Sequence, residues 1–150
     1  MVTLFFCLGD EMYAVKCDKV REISPMVTLK GVPRAPDYLA GLFHYRGMVI
    51  PVVDLCRLIL GKPCGMRLST RIIVVERPPE DGSTSLWGLI AERVTEAGRK
   101  SEDEFVEAGV HVRDLPYLGG VLMEGEKMIH LLDLDLLMKS IPLLGGAGDE

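Results

Sequence analysis

Four cysteines (Cys7, Cys17, Cys56, Cys64), three histidines (His44, His111, His130) and two carboxylate clusters are the groups of this chain able to ligate a metal, attack an electrophile or move a proton. Their spacing supports none of these reactions. No two cysteines form a C-x-x-C pair, and no histidine stands at ligand spacing from another or from a cysteine, so a zinc or iron site would have to assemble from scattered residues. Three of the cysteines lie in apolar segments and read as buried reduced thiols. Asp133 suits a helix N-cap and Asp135 the charge of a first helical turn, and nothing supplies a partner acid or base. Glu102-Asp103-Glu104 reads as a solvated acidic turn. Gly61-Lys62-Pro63 lacks the preceding glycine and the hydroxyl of a phosphate cradle. No G-x-S-x-G elbow occurs, and Gly145-Gly146-Ala147-Gly148 has no strand-to-helix context. The reading is a chain without catalysis, metal or cofactor.

Two charged residues remain without an assignment, Glu22 and Arg46, each set among apolar strand residues and turn residues. Gly41 and Gly47 bracket the strand that ends at Arg46. As local structure, Arg46-Gly47 is a hairpin tip, Glu22 a solvent-face strand residue and Gly41 a bulge or close backbone approach. With no chemistry beside it, such an irregular β surface suits a binding module, whose partner composition cannot name.

The elements that must position these residues are short strands. Residues 3–8 and 12–16 read as a hairpin around Gly9-Asp10-Glu11, and 20–24 and 27–30 as further extended pieces. Residues 39–45 and 48–53 form a second hairpin, in which Pro51 indicates an edge or bulged position. Residues 54–60 read as a helix capped by Asp54 and stopped by Gly61. Strands over 71–76 and 86–91, a charged surface excursion over 98–107, a hairpin of 117–123 with 127–132, and a helix over 133–139 capped by Asp133 complete the series.

The second half echoes the first. Residues 38–55 lie on 117–134 without a gap, matching Tyr38, Leu39, Gly41, Ile50, Asp54 and Leu55 to Tyr117, Leu118, Gly120, Ile129, Asp133 and Leu134. Residues 13–23 likewise lie on 87–97, with Val20 on Val94 and Glu22 on Glu96. Each copy is too small for a good core of its own, so two β modules are expected to pack together and share one. The expected partition is roughly residues 15–70 for one barrel and 1–14 with 71–140 for the other, leaving 141–150 as a frayed tail.

Composition narrows the partners. The 150 residues carry 17 Lys+Arg against 22 Asp+Glu, a formal net charge of −5, with 48% hydrophobic residues. That is an ordinary globular chain, without the basic footprint of a nucleic-acid binder. No apolar run reaches the roughly 20 residues of a membrane span, and residues 2–8 lack the basic start of a secretory signal. The expectation is a cytoplasmic protein with no nucleic-acid partner and no direct membrane insertion.

The motifs Y-A-V-K-C-D-K-V-R-E-I (13–23), P-x-A-P (33–36), G-L-F-H-Y-R-G-M-V-I-P-V-V-D-L (41–55), W-G-L-I-A-E-R-V (87–94), Y-L-x-G (117–120) and M-I-H-L-L-D-L (128–134) occur in one order. Together they resemble the CheW family of chemosensory coupling proteins, from about residue 3 to about residue 139. The resemblance implies a mainly β fold of two five-stranded, SH3-like β-barrels around a shared core, with short helices. It also implies a non-catalytic adaptor, without cofactor, that joins the cytoplasmic tips of chemoreceptors to the regulatory domain of a CheA-type histidine kinase. Such a chain is cytoplasmic and recruited to membrane receptor arrays, and the receptor's helical hairpin lies in a groove between the barrels. On these terms Val20 and Glu22 are partner-contact residues, Gly41 and Arg46 belong to receptor coupling, and Ile72 is an apolar contact of the groove wall. Glu22 and Arg46 are expected to form an ion pair on the groove side of the first barrel. His44 stands where the family commonly shows Asn, which opens that partner contact to change with pH near neutrality. Residues 98–116 do not align with the family pattern. Two alternatives stay open: an adaptor of a non-flagellar pathway governing pili, surface attachment or second-messenger output, and an enzyme with a small-molecule pocket between the barrels.

Overall fold

Gly9, in the left-handed region at φ 63, turns β1 (Val2–Leu8) back into β2 (Glu11–Lys16), with Thr3 opposite Lys16 and Leu8 opposite Glu11. The computed structural model describes residues 2–77, 85–95, 98–99, 105–106 and 117–141. A 3₁₀ turn, Cys17–Lys19, leads into β3 (Val20–Pro25), followed by β4 (Leu39–Tyr45), β5 (Met48–Asp54), α1 (Leu55–Leu60), β6 (Arg71–Arg77) and β7 (Ser85–Ala91). Two short strands come next, β8 (Gly98–Arg99) and β9 (Phe105–Val106), then β10 (Leu118–Glu124), β11 (Lys127–Leu132) and α2 (Leu134–Ser140). One sheet has the order β8-β1-β2-β11-β10-β9 and the other β3-β6-β7-β5-β4.

The internal repeat is written into the backbone pairing. In the second sheet β5 runs parallel to β7 with Val52 opposite Gly88; in the first, β11 runs parallel to β2 with Leu131 opposite Ala14, the corresponding residues of the alignment. Ser24 faces Ile72 across β3 and β6, as Gly98 faces Thr3 across β8 and β1. Even the single bridge of Lys30 to Leu42 has its counterpart, in the pairing of Val106 with Val121. Each repeat therefore gives its first hairpin to the other repeat's sheet. This exchange corrects the expected partition: residues 71–91 belong with β3, β4 and β5, and the second sheet draws its strands from residues 20–91. The reason is that β6 and β7 find their edge partners, β3 and β5, in the preceding repeat.

The exchange also places a shared core between the sheets. Leu4, Phe6, Leu8, Tyr13 and Val15 from the first sheet join Ile50, Val52, Val53, Ile72–Val75, Trp87 and Leu89 from the second, together with Leu137 and Met138 of α2, in one buried cluster. Both faces of β6 are covered, which is why Ile72, Ile73, Val74 and Val75 form an unbroken apolar run. A smaller cluster of Ala14, Leu122 and Ile129 fills the other face of the first sheet. The expected strand over 27–30 is reduced to that one bridge at Lys30. Pro51, expected at an edge, lies in the internal strand β5; the ladder to β7 begins only at Val52, and the bulge sits on β4 between Leu39 and Gly41. The loop over 78–84, most of the excursion over 98–107 and the tail from residue 142 lie outside the described residues.

Both helices begin on the predicted caps. Asp54 Oδ1 accepts from the Arg57 N–H at 3.1 Å, and Asp133 Oδ1 from the Leu136 N–H at 3.0 Å. Their own N–H groups donate to the carbonyls of Tyr38 and Tyr117 at 2.8 and 2.9 Å, again at equivalent positions. Asp54 does more than Asp133: it is buried, and its Oδ2 accepts from the Cys64 N–H at 3.1 Å. Asp133→Ala is therefore expected to cost about 1 kcal/mol, the loss of a cap, and Asp54→Ala about 2–3 kcal/mol, because a buried N–H is orphaned as well. Urea denaturation of the two variants side by side measures the difference.

Candidate functional site

Strands β3 and β4 stand at opposite ends of the second sheet's order, yet their side chains meet. The Tyr45 hydroxyl donates to Glu22 Oε1 at 2.5 Å, and Arg46 donates to the same oxygen through Nη2 at 2.9 Å and Nε at 3.2 Å. Contact between the first and last strands means that this sheet is curled into a barrel, and these three residues clasp its seam. The expected Glu22–Arg46 ion pair is present. Its location is the hairpin tip of β4 and β5, and the Arg46 side chain remains 72% exposed. The guanidinium also lies 5.5 Å from the Tyr45 ring centre.

The tip itself is unusual. Arg46 and Gly47 have φ of 46 and 82, so both central residues of a two-residue loop are left-handed, the type I′ arrangement that favours Asn or Gly at the first position. The equivalent place in the other repeat holds Gly125, φ 64. An arginine at this position carries a steric cost of roughly 1 kcal/mol that glycine would not. The clasp with Glu22 and Tyr45 holds it there.

The ionisation of the cluster follows its bonds. The carboxyl of Glu22 is held below the ordinary glutamate value of 4.5, first by the Tyr45 hydroxyl and then by Arg46. The same bonds raise Tyr45 and Arg46, in both cases chiefly through Glu22. A carboxyl lowered on folding contributes above its unfolded value and ceases to as pH falls through the lower folded value. In a ¹³C-detected titration the Glu22 carboxyl is expected to turn over below pH 4.5, and to move upward in Tyr45→Phe. A turnover unchanged by Tyr45→Phe would remove the hydroxyl from the cluster.

The remaining expected residues separate. Val20 lies on β3 two residues before Glu22 and is half-buried against the core. His44 is exposed on β4, opposite Val49, and alternation points it to the face away from Tyr45. Gly41 is buried at φ 152; a Cβ there would stand 2.7 Å from the Lys30 carbonyl oxygen and 2.9 Å from the Leu29 Cβ. It lets residues 29–30 cross β4 at close range, and presents no surface of its own. Ile72 corrects its expectation outright: it is 0% exposed, in the centre of the core beside Gly88, and is no part of an open groove wall. Around Arg46 the accessible apolar surface comes instead from Met48 and Val49, 40% and 65% exposed.

Tyr45 completes the cluster without standing among the expected contact residues. Its signal was an aromatic residue directly before a turn whose next residue is charged. Two cavities, of about 340 and 270 Å³, lie elsewhere: one between the 3₁₀ turn and the start of α2, the other beside α1 and Glu92. Neither is lined by the six expected site residues. Among the described residues one group has ligand atoms close enough for a metal ion, Asp54 with Cys56 and Cys64, within 4.8 Å of one another. Both Asp54 oxygens there already accept backbone N–H groups.

The CheW-like domain family matches residues 3–141. The chain belongs to that family. It is similar to the chemotaxis protein CheW of Klebsiella aerogenes, 27% identical over 143 residues (91% of this chain, 81% of that protein), and to CheW of Helicobacter pylori, 29% identical over 138 residues (89% and 79%). Among solved structures it resembles the scaffolding protein TtCheW of Thermoanaerobacter tengcongensis, with a TM-score of 0.80 and 26% identity across 95% of this chain and 97% of that one. The mainly β architecture of two sheets with few short helices matches that scaffold structure. The family is one of non-catalytic chemotaxis scaffolds. No helix among the described residues is long and apolar enough to cross a membrane.

Proposed function

We propose that this CheW-like chain is an adaptor that couples the cytoplasmic tips of chemoreceptors to the regulatory domain of a CheA-type histidine kinase. The observation that carries the reading is Arg46: a charged, mostly exposed side chain kept in a left-handed conformation at a hairpin tip, where the other repeat has glycine. Backbone strain retained at an exposed tip, and buttressed by Glu22 and Tyr45, suits a contact residue better than a purely structural one. Met48 beside it, with Val20 on β3, offers apolar surface to a helix and Arg46 supplies polar selection, while His44 and Val49 occupy the other face of the same hairpin. Gly41 and Ile72 act in this scheme from below, by shaping the barrel. The adaptor does its work by binding, and neither cofactor nor catalysis enters.

The test is a kinase assay on reconstituted membranes. Receptor-bearing vesicles and the CheA-type kinase are incubated with labelled ATP, with and without this chain. Receptor-dependent phosphorylation is expected to rise only when all three are present, and to stay low with Arg46→Glu. Equal labelling with and without the chain would refute the coupling role.

A further inference from the structure

Cys56 is the second residue of α1, buried beside Leu55, and Cys64 follows the Gly61 turn that ends this helix. The fold brings their Sγ atoms to 2.7 Å, and the two side chains are only 2% and 4% exposed. A disulfide sulfur pair stands about 2.05 Å apart, so a shift of well under an ångström separates these free thiols from a bond. The Cys64 N–H is fixed on Asp54 Oδ2, and its sulfur also points to the Ile90 carbonyl at 3.6 Å, so the Cys64 end of the pair is held in place. We propose that Cys56 and Cys64 are a dithiol modification site, converted to an intramolecular disulfide by an oxidant of the peroxide class.

Access comes through the 270 Å³ cavity, which is lined by Cys56 but not by Cys64, and by Lys62, Arg67 and Arg93 against Asp10 and Glu92. A peroxide is small enough to enter it. Cys64 is the thiol that keeps its proton: donation to Cys56, burial and the Asp54 carboxylate all push it up. Cys56 is the member of the pair that lines the cavity, so in this scheme it meets the peroxide first and acts as the nucleophile. The Cys56 sulfur attacks the peroxide O–O bond and its proton passes to the departing oxygen, giving a sulfenic acid and water. The Cys64 sulfur then attacks the sulfenic sulfur, the S–O bond breaks and water leaves with the Cys64 proton. Overall two thiols and one hydrogen peroxide give one disulfide and two waters. The bond ties residues 61–64 to α1 beside Gly65, whose N–H donates to Glu92, itself bonded to the Gly9 N–H of the β1–β2 turn. It therefore braces a junction between the two sheets, away from the Glu22–Arg46 cluster.

The full chain is treated with one equivalent of hydrogen peroxide, denatured, alkylated and mapped by mass spectrometry. The expected product is a Cys56–Cys64 cross-linked peptide lighter by two hydrogens and restored by dithiothreitol, while Cys7 and Cys17 are alkylated as thiols. The thermal midpoint of the oxidised chain is expected to rise by about 5–10 °C. In Cys64→Ala, Cys56 should stop at a sulfenic acid trapped by dimedone; if that variant fails to fold, the wild-type map decides alone. Cys56 and Cys64 both alkylated after oxidation, or cross-links to Cys7 or Cys17 instead, would overturn the proposal. So would protection of both thiols by added zinc in place of the disulfide, which would make the group a metal site.

Discussion

Arg46→Glu is expected to lower receptor-tip affinity about 10- to 100-fold, or about 1.4–2.8 kcal/mol, while the chain stays folded. The reversal turns an attractive tip into a repulsive one and sets two carboxylates together at the barrel seam. Arg46→Gly is the informative companion. Glycine relieves the left-handed backbone at φ 46, as Gly125 does in the other repeat, so stability is expected to hold or rise slightly although the clasp with Glu22 is lost. Binding should fall in both variants. Circular dichroism melts beside a binding isotherm separate the two effects. A glycine variant that binds as well as the wild type would make Arg46 a spectator, and one that unfolds would make it structural.

Gly41→Ala is expected to act in the opposite sense, with loss of fold preceding any specific loss of contact. The added Cβ meets the Lys30 carbonyl oxygen and the Leu29 Cβ at 2.7 and 2.9 Å, and φ 152 is itself unfavourable for alanine. Neither obstacle is the flexible end of a side chain. Strain and overpacking together are expected to cost about 2–4 kcal/mol, lowering the thermal midpoint by about 5–15 °C in a chain of this size. At a temperature where the variant is folded, its receptor affinity should remain close to wild type. An unchanged midpoint with lost binding would return Gly41 to the contact surface.

The contrast between these residues shows what was legible in the sequence. Helix caps, hairpin tips and the two matched blocks could be read because each depends on residues a few positions apart: Asp54 and Arg57, Asp133 and Leu136, Arg46 and Gly47. The Glu22–Arg46 pair was also expected, from a resemblance that supplied the long-range proximity. Strand partners are a non-local matter and leave no such local mark. Nothing local in residues 71–91 says that β6 will seek β3 across the repeat boundary, although the unbroken apolar run 72–75 was a sign of a strand covered on both faces. The same sign would have withdrawn Ile72 from the contact surface. Pro51 misled because a proline removes only its own N–H donor: it still faces Leu42 of β4, and β5 begins its ladder to β7 one residue later. Cys56 and Cys64 form no motif at a spacing of eight; a helix end and a left-handed Gly61 bring them together.

The most direct test is calorimetric titration of the purified chain with the CheA-type regulatory domain and, separately, with a receptor-tip fragment. Saturable binding to each, with Arg46→Glu losing only the receptor fragment, is the result predicted for a coupling adaptor. Absence of heat and of any complex with either partner, from wild-type chain shown to be folded, would contradict that role.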